Sequence, residues 1–113
     1  MSISFVLCSW DGGVEDETYD DSYVFVRLMK LLYDPNSRHP AEFKLLKYVD
    51  LHEFVRFNAR QMPDLIADLE LLKSLVPAGQ YHDEEVSTVE RLIALAQRCR
   101  RGGGRLFLDF VGD

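Results

Sequence analysis

Apolar positions recur along the chain with two periods, and the change from one to the other marks its elements. Ile3 to Cys8 is short, β-branched and aromatic and runs into Asp11-Gly12-Gly13, which predicts an N-terminal strand. Ser22 to Tyr33 is apolar almost throughout, with Arg27, Lys30 and Asp34 at i, i+3 and i+7. That stripe predicts a helix capped by Asp20, Asp21 or Ser22, although Val24, Phe25 and Val26 also suit a strand. Asp34 to Pro40 holds two prolines and reads as a turn. Phe43 to Val49 alternates, and Phe54 to Phe57 resumes four residues later, so the pair predicts a hairpin over Asp50 to Glu53.

Helical spacing returns at Met62, Leu65, Ile66, Leu69, Leu72 and Val76, with Pro63 and Asp64 suited to a first turn and Pro77-Ala78-Gly79 ending the run. Val86, Val89, Leu92, Ile93, Ala96 and Cys99 form the stripe of a last helix. Asp83, Glu84 and Glu85 lead it and Arg98, Arg100 and Arg101 close it, which matches the helix dipole at both ends. Gly102-Gly103-Gly104 supplies residues able to turn left-handed, and Arg105 to Val111 alternates with Leu106, Leu108 and Phe110 facing the core. The order β-α-β-β-α-α-β, without repeat or linker, predicts one α+β domain over residues 1–113, a small mainly antiparallel sheet packed against helices.

Composition supports a folded core: 47% of the 113 residues are hydrophobic, enough to exclude disorder, and a chain of this length buries roughly two-thirds of its unfolded surface. Thirteen Lys and Arg against nineteen Asp and Glu leave a net charge of −6, which disfavours direct binding to nucleic acid or to an anionic membrane. Cys8 and Cys99 lack a partner spacing and read as reduced, buried thiols. The N-terminus has neither a basic start nor a long apolar run, so a cytoplasmic protein is expected.

Catalytic patterns are weak. His39, His52 and His82 sit in or beside predicted turns without metal-ligand spacing, and the Gly102 to Gly104 run leaves a helix C-terminus, where the dipole repels phosphate. Ser9, Cys8 and Cys99 have no ordered base, so neither an enzyme nor a cofactor is expected. Arg98, Arg100, Arg101 and Arg105 either cap their helix or grip a phosphate backbone or an acidic partner. The most distinctive segment runs from Asp11 to Asp21, where six carboxylates, Asp11, Glu15, Asp16, Glu17, Asp20 and Asp21, stand without a basic residue. It reads as a solvated loop or as a patch that docks on a cationic partner, with Trp10, Tyr19 and Tyr23 as flanking aromatic anchors, unless Trp10 instead finishes the core.

In the second half, Tyr48-Val49-Asp50, Phe57-Asn58, Gln61, Leu65 to Leu69 and the C-terminal Phe110-Val111-Gly112-Asp113 resemble a pattern of small bacterial proteins. These resemble immunity proteins encoded beside polymorphic or contact-delivered toxins. The resemblance implies a small, acidic, cytoplasmic, non-catalytic protein whose partner is a cognate toxin, and implies no catalytic residue; were that toxin a nuclease, its basic groove would match the carboxylates of the 11 to 21 loop. A non-catalytic regulatory or adaptor domain is the competing class. Asn58 and Gln61 suit a helix entrance, or with Asp50 and His52 a recognition surface.

Overall fold

The computed structural model describes residues 3–19, 24–32 and 42–112. Four strands, β1 (Ile3–Ser9), β2 (Val14–Tyr19), β3 (Phe54–Asn58) and β4 (Leu106–Gly112), form one antiparallel sheet in the order β2-β1-β4-β3. Three helices, α1 (Val24–Leu32), α2 (Met62–Ser74) and α3 (His82–Arg101), complete an α+β fold. β1 and β4 are the central strands, because β1 pairs with both β2 and β4 and β4 with both β1 and β3. Among the described residues no helix is long and apolar enough to cross a membrane.

Two segments differ from the sequence expectation, and both differences have a physical cause. The acidic stretch forms a strand: β1 turns back at Gly12, whose φ of +92° suits glycine, and Val14–Tyr19 pairs with β1. Its carboxylates tolerate this because β2 is an edge strand with solvent on its outer side, and charge at an edge discourages further pairing. Phe43 to Val49, expected as a strand of a hairpin, forms a turn and a 3-10 helix at Leu46–Tyr48. Its N–H groups have different acceptors. The buried Asp68 of α2 takes hydrogen bonds from Lys44, Leu45 and Leu46 N–H at 3.0, 2.7 and 2.9 Å, and the N–H groups of Tyr48 and Val49 bond within the turn to Leu45 and Leu46 O. Phe43, Leu46 and Val49 are buried by this winding.

The other elements follow their local signals. Asn58 and Gln61 form a reciprocal capping box ahead of α2, each side chain accepting from the other's backbone N–H. Gly103, at φ +60°, takes the left-handed turn after α3. In the core Phe110 is the hub, edge-on to Phe5, Phe25 and Phe57 at 5.3, 5.8 and 5.5 Å. The expected caps at Asp20, Asp21 and Ser22, and the turn from Asp34 to Pro40 with its His39, lie outside the described residues.

Candidate functional site

Strand alternation divides the sheet into two faces. Ile3, Phe5, Leu7, Phe57, Leu108 and Phe110 turn toward the helices and are buried. The other face is open. The register places Phe54, Val111, Ser4 and Tyr19 in one row across it, then Arg56, Asp109, Val6 and Glu17 in the next. Cys8, Phe107 and Asn58 follow, with Val14 reaching Cys8 across a β-bulge that leaves Glu15 unpaired.

At the centre of this face Arg56 grips Asp109 with two hydrogen bonds of 2.8 Å, the fork geometry in which a guanidinium binds a carboxylate best. Asp109 is buried, and its Oδ2 also accepts from the Cys8 thiol at 3.2 Å. The Arg56 guanidinium carbon lies 4.8 Å from the centre of the Phe107 ring and 5.6 Å from that of Phe54, so two aromatic rings and a carboxylate fix one cation. Hydrogen bonding to Asp109 raises the Arg56 pKa further. Burial, and then the hydrogen bond to Asp109, push the Cys8 thiol up. A thiol held neutral is a poor nucleophile, so the cluster presents a rigid, half-exposed cation between aromatic rings, a composition found at protein-binding hot spots.

The residues expected to bind a partner are dispersed rather than collected. Trp10 is 71% exposed at the β1–β2 turn. Beside it Asp11 accepts from the Ser9 hydroxyl and from Gly13 N–H, bonds that lower its pKa and serve the turn. Asp16 points to the helix side and pairs with Arg98 of α3 at 2.6 Å. Arg98 is thus bound to the acidic strand as well as closing its helix. Glu17 and Tyr19 lie on the open face, while Glu15 occupies the bulge. Asp50 accepts from His52 N–H at 2.8 Å in the turn entering β3. That turn adjoins the edge opposite β2, three strand spacings or about 14 Å across the sheet. Asp20, Asp21 and Tyr23 lie outside the described residues. No group of three potential metal ligands occurs among the described residues.

Arg56, Asp109, Phe54 and Phe107 did not stand out in the sequence reading, yet a signal existed. Arg56 and Asp109 each interrupt an apolar strand, Phe-Val-Arg-Phe and Leu-Phe-Leu-Asp-Phe, with charges of opposite sign. No family model matches the chain, and no curated protein or solved structure matches it either.

Proposed function

We propose that the protein is an immunity protein that binds a cognate bacterial toxin in the cytoplasm and neutralises it by covering its active site or an essential surface. The reading rests above all on the open sheet face, where Phe54, 56% exposed, and Phe107 hold Arg56 between their rings and Tyr19, equally exposed, stands on the far edge strand of the same face. Exposed aromatics beside a positioned arginine are costly to leave in water and anchor protein partners well. The adjoining β2 edge, with Glu15 and Glu17 directed to solvent, suits the basic groove of a nuclease toxin.

The test is capture of the tagged protein's partner from the strain that encodes it, at low and high salt, followed by expression of that partner alone and together with this chain. Growth arrest by the partner alone, relieved by co-expression, supports neutralisation. Glu15→Gln with Glu17→Gln should then weaken binding about tenfold and flatten its salt dependence. A partner without growth effect points to the adaptor class and refutes the reading, as does the absence of any stoichiometric partner.

A further inference from the structure

The two edges of the sheet are built differently. β2 carries Glu15, Asp16 and Glu17 and a bulge, devices that block pairing with another strand. β3 has neither proline nor bulge, and its one charge, Arg56, is neutralised by Asp109. The phase of its ladder follows from the bond of Gly112 N–H to Glu53 O at 3.0 Å. Val55 and Phe57, like the Glu53 carbonyl, turn their backbone groups toward β4, and Phe54 and Arg56 turn theirs away. The same outward direction is closed on either side, because His52 N–H is held by the Asp50 carboxylate and Asn58 N–H by the Gln61 amide, both at 2.8 Å. What remains is a window of two residues, with two donors and two acceptors.

We propose that this window binds a second copy of the chain, β3 against β3, antiparallel about a two-fold axis through Val55. In that register Phe54 of each copy lies opposite Arg56 of the other, and four backbone hydrogen bonds use every open group. A two-fold centred on Phe54 would set Arg56 against His52, and one centred on Arg56 would set Phe54 against Asn58; both meet an N–H already taken. The Arg56-centred pairing would also bring two guanidinium groups face to face. Centred on Val55, each exposed Phe54 ring covers the other copy's guanidinium, and the half-buried Val55 side chains meet across the axis. The two sheets become one of eight strands with the acidic β2 strands at its outer edges. This assembly does not depend on the toxin-binding reading. Because the window is short, association should be concentration-dependent, with a dissociation constant roughly in the micromolar range.

Sedimentation equilibrium over a concentration series tests it, together with amide hydrogen exchange on the unaltered protein. The mass should rise from 13.1 kDa toward twice that value, while the Phe54 and Arg56 amides gain protection in step. Phe54→Pro removes an outward N–H but none of the bonds to β4, at an edge position where proline is tolerated. It should raise the dissociation constant at least about tenfold with an unchanged circular dichroism spectrum. A protein that stays at 13.1 kDa across the series overturns the proposal. So does a dimer whose Phe54 and Arg56 amides exchange independently of concentration, because its interface lies elsewhere.

Discussion

Arg56 and Asp109 share one contact, yet removing either partner should have very different consequences. The Asp109 side chain is 6% exposed and that of Arg56 45%. Arg56→Met keeps most of the apolar stem but leaves a buried carboxylate with only the Cys8 thiol as donor, a situation that costs about 3–5 kcal/mol. Asp109→Leu leaves a guanidinium that already reaches water and lies against Phe54 and Phe107, and should cost only about 1–2 kcal/mol. The double variant removes both charges and should be more stable than Arg56→Met alone, giving a coupling energy of about 2 kcal/mol or more. Urea unfolding followed by far-ultraviolet circular dichroism is the suitable assay, because the single tryptophan, Trp10, is largely exposed and a weak reporter of the core. If Asp109→Leu destabilises as much as Arg56→Met, or the two effects simply add, burial does not control this pair and the reasoning fails.

Two further predictions concern buried groups away from the sheet centre. Asp68→Ala removes the acceptor of three backbone N–H groups and should lower stability by about 3 kcal/mol or more, with loss of exchange protection confined at first to Lys44, Leu45 and Leu46. A change below about 1 kcal/mol would show that water replaces the carboxylate freely. Burial raises the Cys99 thiol from 9.0 to about 11, so between those values the folded chain holds a proton that the unfolded chain releases. Stability should therefore fall as pH rises through this interval, by on the order of 2 kcal/mol. Cys99→Ala should flatten that slope, and a parallel pH dependence in the two proteins would contradict it.

Local and distant interactions divide the legibility of this molecule cleanly. α2 and α3 were legible because a 3.6-residue period needs no partner to be recognised, and the Asn58–Gln61 box because its two members are three residues apart. β1 is marked by a short β-branched and aromatic run that ends at a glycine turn, and β4 by apolar alternation. Charge concealed β2: Glu15, Asp16 and Glu17 suggested a repelling loop, whereas Val14, Thr18 and Tyr19 together with the Gly12-Gly13 turn favoured the strand that forms. The acidic stretch offers its carboxylates as one loop or docking patch in the sequence, but the alternation of β2 sends Asp16 to α3 and Glu17 to the open face.

The sequence by itself determined the α+β class, the amphipathic helices, the strands that bracket the chain and the acidic character of the surface, all properties carried by short-range periodicity and composition. Tertiary structure decided the rest. Phe43 to Val49 has the pattern of a strand and is wound into a turn because a carboxylate from α2 arrives to take its N–H groups. Arg56 and Asp109, 53 positions apart, become one ion pair only when β3 lies beside β4. A backbone donor accepts whichever partner folding brings within about 3 Å, and a charge is buried or solvated according to what is packed above it. Neither quantity is written in the spacing of residues along the chain.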